Sequence, residues 1–349
     1  MQLLKRMIKE SFGESNRNNK MTYKIIKGIT KGKHVNHSKI ALNMEGEATH
    51  ESKIRSIEEY FTRAGLNCEK AMNMLLSFLP AAGQVTLILD RTNWELGGVS
   101  INALVLYAKC GNYSVPINIM MLSNKGGNSS CEDRIKLLEP AVKKLGIERV
   151  SVIIGDREFI GCKWIDWLQR QGLGFIMRSR ENLVGLQDLL RKAKGSKVAS
   201  DQVELGELEG REIVCTATVK KLKDEYLIAL STGSLNPLKV YKHRWKIECF
   251  FKSIKTAGFN IEGTRMKNFT KLRILFFLVA MAYAVCKVLG IYVHTKIKKI
   301  RFIKPIRSYQ YSFFRYGLDY IGKLWHCSIR SLNNSLKAAL ILANNLNLG

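Results

Sequence analysis

Three acidic residues lie at or near the ends of predicted structural elements, where their side chains could act together. Asp90 ends the apolar run "QVTLILD", and Asp156 lies one glycine past the run "RVSVII". Glu248 belongs to the helical segment "YKHRWKIECFFKSIK", residues 241 to 255. If the first and fourth strands lie side by side in one sheet, their ends bring two carboxylates together, and a helix crossing that edge brings the third. Such a cluster repels itself unless cations neutralise it.

Carboxylate oxygens favour hard cations such as Mg²⁺ or Mn²⁺, which keep several waters and bind phosphate oxygens. Two such ions ~3.5–4 Å apart can activate a water and stabilise the leaving oxygen in phosphodiester displacement. The three acids therefore predict a metal site that acts on phosphodiesters.

Each acid also has a structural interpretation. Aspartate at a strand end commonly begins a turn, which applies to Asp90 and Asp156. Glu158 is a second candidate for the middle ligand, although Asp156 lies nearer the strand end. Glu248 has i,i+4 basic neighbours on both sides, a pattern typical of ion pairs on an exposed helix.

The segment 241–255 has two distinct faces when it is drawn as a helix. At about 100° per residue, one arc roughly 80° wide collects a single acid among basic and aromatic polar residues. Its members are Tyr241, Arg244, Glu248, Lys252 and Lys255. The adjacent arc is apolar and predicts a buried face: Val240, Ile247, Phe250, Phe251 and Ile254. The basic residues would hold phosphates beside the metals. Arg91 and Arg157, directly after the two aspartates, could contact phosphate or neutralise the acids.

Charge along the chain predicts a polyanionic partner. The 349 residues include 56 Lys or Arg and 29 Asp or Glu, a formal net charge of +27. Seventeen of the basic residues lie in 239–307, where Glu248 and Glu262 are the only acids. A uniformly solvated surface would not concentrate charge in this way, and a basic stretch of this kind favours nucleic acid. Within it, "HTKIKKIRFIKPIR" could be a solvated tail or a contact to flanking DNA.

Membrane and secretory functions are disfavoured by the apolar pattern. The first residues contain no uninterrupted apolar stretch, so no signal peptide is expected. The most apolar run, "ILFFLVAMAYAVC", has 13 residues before Lys287, fewer than the ~20 of a spanning helix, and predicts a buried helix. The eight cysteines include no C-x-x-C pair and are expected to be reduced thiols of a cytoplasmic protein.

The pattern of elements predicts an α/β protein. Periodic apolar residues predict several helices in 1–80, compatible with a helical DNA-binding region. Three strands, a helix, a strand, a helix and a strand follow in 83–179. A polar, β-rich insertion is expected at 180–236, then the helix with Glu248 and the rest of the core at 237–293, and a basic, helical C-terminal region at 294–349.

These motifs together resemble the DDE-class transposases of bacterial insertion sequences, in the insertion-sequence-four type family with the signature Y-x2-R-x3-E-x6-K. Tyr241, Arg244, Glu248 and Lys255 meet all four positions of that signature. The segments "DRTNW" and "GDREF" resemble the family's first and second aspartate motifs. The similarity runs from about residue 80 to 290, with a looser likeness in the N-terminal helices.

The resemblance implies a ribonuclease-H-like catalytic core interrupted by the β-rich insertion. It implies two Mg²⁺ ions held by Asp90, Asp156 and Glu248, with Mn²⁺ as a substitute, and cut-and-paste movement of an element bounded by terminal inverted repeats. The implied partners are double-stranded DNA, at the repeats and at the target, and a second copy in a synaptic homodimer. Tyr241, Arg244 and Lys255 would contact the DNA end in a cytoplasmic, nucleoid-associated enzyme.

Three other functions remain open from the sequence. A ribonuclease-H-like nuclease or resolvase would share the acids and the metals but lack strand transfer. A catalytically silent protein could bind only the DNA ends, and a membrane-surface protein could use the basic segment. Some relatives form a DNA hairpin with the help of an insertion-domain tryptophan, but none of the five tryptophans lies in 180–236, so that step is also open.

Overall fold

In the described part of the chain, five helices precede the first strand, as the apolar periodicity predicts. The computed structural model describes residues 2–13, 17–63, 65–123, 127–195, 198–233, 236–327 and 329–345. Asn36, Thr49 and Asn67 each cap a helix by accepting a hydrogen bond from a backbone N–H of its first turn. The helices are α1 (Gln2–Phe12), α2 (Arg17–Gly32), α3 (His37–Leu42), α4 (His50–Thr62) and α5 (Cys68–Leu76).

The predicted order of strands and helices in 83–179 is confirmed. It comprises β1 (Val85–Leu96), β2 (Val99–Cys110), β3 (Tyr113–Leu122), α6 (Cys131–Leu145), β4 (Val150–Gly155), α7 (Cys162–Arg170) and β5 (Phe175–Arg178). β1 pairs in parallel with β4, and β4 pairs in parallel with β5, whereas β2 and β3 add antiparallel strands on the other side of β1. The carboxyl ends of β1, β4 and β5 therefore meet at one edge of the sheet.

β1 does not end at Asp90, so the interpretation of that residue as the start of a turn is wrong. Pairing with β4 stops at Ile88, but pairing with β2 continues to Leu96. The turn comes at Gly97 and Gly98, whose positive φ angles of 52° and 77° suit a tight hairpin. Asp90 thus lies just beyond the last residue of β1 that pairs with β4, in a part of β1 that pairs only with β2.

The insertion extends the central sheet. It contains α8 (Gln187–Gly195), β6 (Ala199–Leu208), β7 (Arg211–Lys221) and β8 (Tyr226–Ser231). β8 pairs antiparallel with β5, which gives an eight-stranded mixed sheet of order β3-β2-β1-β4-β5-β8-β7-β6. Most of the acidic stretch "DQVELGELEGRE", within the insertion predicted to be polar and β-rich, forms the edge strand β6 and its turn. Charged side chains are common on edge strands because they discourage pairing with other chains.

The helix that carries Glu248 is divided rather than continuous. α9 (Pro237–Tyr241) is followed by a turn of 3₁₀ helix at Lys242–Arg244 and then by α10 (Trp245–Lys255). Ile247, Phe250 and Ile254 are fully buried, so the predicted apolar face of this segment is confirmed.

α11 (Phe269–Tyr292) lies at the centre of the core. α11 and the π-helical turn that continues it form Phe269–Ile297, the one stretch of the described chain long and apolar enough to cross a membrane, and the apolar window within it is 100% buried inside the protein. Helices α2 and α5 pack against α11, as does β3. The N-terminal helices therefore share one hydrophobic core with the sheet, and helices cover both faces of the sheet.

The C-terminal region forms a short ribbon and two helices. These elements are β9 (Phe302–Ile303), β10 (Ser308–Tyr309), α12 (Phe313–Cys327) and α13 (Ile329–Asn345). α12 approaches α11 so closely at Gly290 that a Cβ there would lie 1.7 Å from the carbonyl oxygen of Phe313. Glycine is required at this contact because any side chain would push the helices apart.

Candidate active site

Asp90, the first of the three acids, is largely enclosed. Its side chain is 15% exposed, its Oδ1 accepts the Arg91 N–H at 2.8 Å, and its Oδ2 accepts from Arg244 at 2.6 Å. Burial raises the pKa of its carboxyl to about 6; Arg244 and the Arg91 N–H oppose this rise, whereas the negative charges of Asp156 and Glu248 add to it. Asp156 and Glu248 are thus both close enough to influence Asp90.

Asp156 follows β4 at the same edge of the sheet. It begins the short 3₁₀ helix Arg157–Phe159, and its side chain accepts the Arg157 N–H at 2.8 Å. Because β4 runs parallel to β1, this cap places the second carboxylate beside the first. Asp156 also contributes to raising the pKa of the Tyr241 hydroxyl, although burial is the main cause of that rise, to about 12.

Arg244 links the first and third acids. Its guanidinium donates to Asp90 and, through the other terminal nitrogen, to Glu248 on the next helical turn. Burial lowers the pKa of Arg244, but the surrounding negative groups, Asp90 first, raise it to a net value above its usual range. The predicted i,i+4 pair with Glu248 is present, and the same arginine also joins that helix to β1.

The other signature residues lie around this bridge. The ring of Tyr241 lies 5.9 Å below the Arg244 guanidinium, and the Tyr241 hydroxyl is buried without a hydrogen-bond partner in the described part of the chain. Lys255 donates to the carbonyl oxygen of Asn93 at 3.0 Å and pairs with Glu262 at 2.9 Å. Lys252 is exposed. Lys255 is therefore engaged with protein groups, whereas Lys252 faces solvent.

Glu158, Arg91 and Arg157 differ in their contacts. The Glu158 carboxylate pairs with Arg91 at 2.9 Å and accepts from Ser129, while its backbone carbonyl accepts from Arg134 at 2.7 Å. Arg91 also donates to the carbonyl oxygen of Gly127 at 2.7 Å. The Arg91–Glu158 pair joins the first aspartate segment to the second, whereas Arg157 is exposed.

Sequence reasoning missed two arginines near Arg157. A surface cavity of about 320 Å³ is lined by Arg157, Arg178, Ser179, Arg180, Glu181, Asn182, Glu225 and Tyr226. Arg178 ends β5, the third parallel strand at the same sheet edge. The basic run "MRSR" at a strand end was the available signal.

The donor chemistry of the site suits a hard divalent cation, since three carboxylates lie near one another at a strand edge. Within the described ranges, however, no group of three acidic, histidine or cysteine side chains is arranged to hold one ion. Asp90 and Glu248 instead both pair with Arg244.

The chain belongs to the transposase DDE domain family, whose profile matches residues 83–285, more than half of its length. It is a DDE transposase, an enzyme that cuts DNA strands and joins them by transesterification. Family members generally use divalent metal ions, and DNA is their partner.

Two solved structures show distant similarity. A piggyBac transposase synaptic complex with hairpin DNA is 12% identical with a TM-score of 0.47, over 94% of this chain and 77% of that one. The endonuclease V of Bacillus subtilis is 12% identical with a TM-score of 0.28, over 59% of this chain and 95% of that one. No protein with a curated description matches the sequence.

Proposed function

We propose that this transposase moves a bacterial insertion sequence by cut-and-paste transposition, with Asp90, Asp156 and Glu248 as its catalytic carboxylates on a ribonuclease-H-like core. One observation carries the proposal: two of the acids follow the pairing of the parallel strands β1 and β4 at one sheet edge, and Arg244 bridges the first of them, Asp90, to Glu248 on the later helix. The complete Y-x2-R-x3-E-x6-K signature supports assignment to the insertion-sequence-four type family.

The three carboxylates would hold two Mg²⁺ ions, with Mn²⁺ as a substitute. When bound, such ions supply an activated water and stabilisation of the leaving oxygen. The protein's own part begins with Arg244, which neutralises Asp90 and Glu248 in the absence of DNA. An approaching DNA phosphate offers Arg244 another anion, and the two carboxylates are then free to act as ligands.

The remaining basic residues divide between binding and support. Lys252 and Arg157 are exposed and would contact phosphates on either side of the acids. Arg91 supports the site through Glu158, and Tyr241 supports the Arg244 guanidinium through its ring. Lys255 would reach the DNA end only after exchanging its partner Glu262 for a phosphate.

The proposed DNA partners are the terminal inverted repeats of the element and a target duplex, and the active assembly is a homodimer that holds two ends. The concentration of positive charge in 239–307 supports a long electrostatic contact with DNA. The enzyme would work in the cytoplasm, associated with the nucleoid.

The test uses a labelled duplex with the element's own end, in Mg²⁺. Asp90→Asn, Asp156→Asn and Glu248→Gln each remove a charged ligand while nearly keeping its shape, so each variant should fold and bind the duplex but lose cleavage by at least about a hundredfold. Asp188→Asn is the matched control, because Asp188 is an acid whose side chain is 80% exposed on α8.

Near-normal cleavage by Glu248→Gln would contradict the assignment of the third ligand. Joining of the cleaved end to a second duplex separates a transposase from a nuclease of the same fold. Cleavage without joining would favour the nuclease or resolvase.

A further inference from the structure

Residues 295–311, which contain the two short strands β9 and β10 and are called the ribbon below, have an unusual surface. Five of the twelve large apolar side chains that are exposed in the described part of the chain lie here: Ile297, Phe302, Ile306, Tyr309 and Tyr311. The same segment contains no acid and six basic residues: Lys296, Lys298, Lys299, Arg301, Lys304 and Arg307. The ribbon therefore presents apolar groups and positive charge together, and none of its residues belongs to the catalytic site.

The base of the ribbon is fixed, which argues against a solvated tail. The ring nitrogen Nδ1 of His294 accepts the Ile300 N–H at 2.9 Å, and the Tyr316 hydroxyl donates to the Lys298 carbonyl at 3.0 Å. The Tyr309 ring packs edge-on against His294, with centroids 4.9 Å apart. These contacts hold the ribbon on α11 and α12 and leave its far end exposed.

The far end is a turn with the sequence Lys304–Pro305–Ile306–Arg307. The Arg307 N–H closes it by donating to the Lys304 carbonyl at 3.1 Å, and Arg307 has a positive φ of 48°. Pro305 is exposed and Ile306 is 65% exposed. Two apolar residues thus stand at the tip of a narrow ribbon between two cations.

We propose that the ribbon 295–311 enters the minor groove of duplex DNA outside the catalytic centre, where Pro305 and Ile306 wedge into a base step and kink the duplex. Apolar wedges of this kind partly unstack a step, while flanking cations bind phosphates. The inference rests on the proposed function, which brings a long duplex to the protein. It adds that DNA beyond the cleavage point is bound in a bent form.

Duplex DNA suits this surface better than a second copy of the chain. A ribbon with six cations would be repelled by a copy whose formal net charge is +27. DNA offers negative phosphates for the cations and apolar base faces for the wedge. Duplex DNA can therefore bind both the basic and the apolar side chains of the ribbon.

The test is circular-permutation gel mobility on fragments of about 150 base pairs that carry the element's end, a length near the persistence length of DNA. Full-length protein is used in EDTA, so that binding and bending are measured without cutting. The double variant Pro305→Gly, Ile306→Ser should lose most of the position-dependent retardation and raise the Kd less than about tenfold. Ile147→Ser is the control, because Ile147 is an exposed apolar residue just before β4, at the opposite end from Asp156.

A second variant, Arg301→Gln, Lys304→Gln, tests the electrostatic part. It should lower the slope of log K against log salt by about two if each side chain neutralises one phosphate. Unchanged melting temperatures of all variants would show that they fold.

Normal DNA bending by the double variant Pro305→Gly, Ile306→Ser would overturn the inference. A change only in self-association, measured by sedimentation, would also overturn it, because the ribbon would then bind a second copy of the chain. These results leave the proposed function intact if the protein still cuts its ends in Mg²⁺. Failure of the wild type to bind its ends would instead count against the proposed function.

Discussion

Arg244 and Asp90 lie 154 positions apart in the sequence, yet the Nη1 of Arg244 donates to the Oδ2 of Asp90 at 2.6 Å. The second terminal nitrogen of the same guanidinium binds Glu248. Arg244 therefore acts as an internal counter-ion for two of the three proposed ligands. Because a DNA phosphate and these carboxylates compete for one cation, DNA binding and metal binding should be coupled.

The first prediction removes this counter-ion. Arg244→Gln leaves Asp90 and Glu248 partly enclosed without a positive partner, so the free energy of unfolding in EDTA should fall by about 1–3 kcal/mol. Mg²⁺ should then raise the melting temperature of the variant more than that of the wild type, because it replaces the missing charge. Thermal unfolding without DNA, with and without Mg²⁺, measures both effects.

The control for this prediction is Arg315→Gln. Arg315 pairs with Asp319 on α12 with about half of its side chain exposed, and exposed pairs of this type contribute little. Its response to Mg²⁺ should match that of the wild type. Equal responses of the Arg244 variant and the wild type would contradict the counter-ion role.

The second prediction concerns Glu158, whose carboxylate holds Arg91 at 2.9 Å. Glu158→Gln keeps a hydrogen-bond acceptor but loses the charge, so cleavage should fall by roughly tenfold through misplacement of the aspartate segments. The Mg²⁺ concentration for half-maximal rate should stay unchanged, because Glu158 is not a ligand. Glu225→Gln, at another arginine pair, is the control. An inactive Glu158→Gln beside an active Asp156→Asn would instead move the second ligand by two residues.

Local patterns predicted much of the framework. The order of strands and helices through β5 was predicted from the apolar patterns and is confirmed. The convergence of Asp90, Asp156 and Glu248 depended on a parallel pairing of β1 with β4, which sequence reasoning could only assume and which is present.

Local sequence patterns could not predict the contacts between segments that are distant in the chain. The acidic strand β6 has weak strand propensity and is held by its pairing with β7, and tertiary pairing overrides local preference. The hairpin between β1 and β2 kept Asp90 inside a strand, although an Asp after an apolar run commonly begins a turn. The partners of Arg91 also depend on loops that meet only in the folded protein.

The third prediction is that a fragment starting near Gly83 does not fold. The apolar pattern of 1–80 is compatible with a helical DNA-binding region, but α2 and α5 pack on α11, and their removal would expose the centre of the core. Circular dichroism of the fragment should show no cooperative thermal transition. A cooperative transition would show that the N-terminal helices are a separate unit.

The fourth prediction concerns the salt dependence of end binding. Lys252 is exposed beside Glu248, so Lys252→Ala should lower the slope of log K against log salt by about one. Lys255 is paired with Glu262, so Lys255→Ala should change the slope less than Lys252→Ala does. Fluorescence anisotropy of a labelled end at several salt concentrations measures both slopes. A larger change for Lys255 would show that it exchanges Glu262 for a phosphate.

The last prediction concerns Lys287, a buried lysine of α11. Its ammonium donates to the hydroxyls of Tyr107, Ser114 and Tyr283 at 2.9, 2.6 and 3.3 Å. Burial lowers the pKa of Lys287 from 10.5 to about 7, and the nearby charge of Lys246 adds to this effect. The folded protein therefore holds the Lys287 proton less tightly than the unfolded chain does.

The sign of the pH dependence follows from this difference. Below pH 7 both the folded and the unfolded protein carry the Lys287 proton, and the folded state bears the full cost of a buried charge. Between pH 7 and 10.5 only the unfolded chain carries this proton. The free energy of unfolding therefore rises with pH in this range. Lys287→Met removes this dependence, and its stability relative to the wild type should fall by on the order of 3–4 kcal/mol from about pH 6.5 to pH 10. The lost hydrogen bonds lower the variant's stability by a similar amount at each pH, so the change with pH is the diagnostic quantity.

Urea unfolding at both pH values measures this change, with Lys323→Met, at an exposed lysine, as the control. A difference between Lys287→Met and the wild type that stays constant with pH would mean that Lys287 keeps its proton in the folded protein.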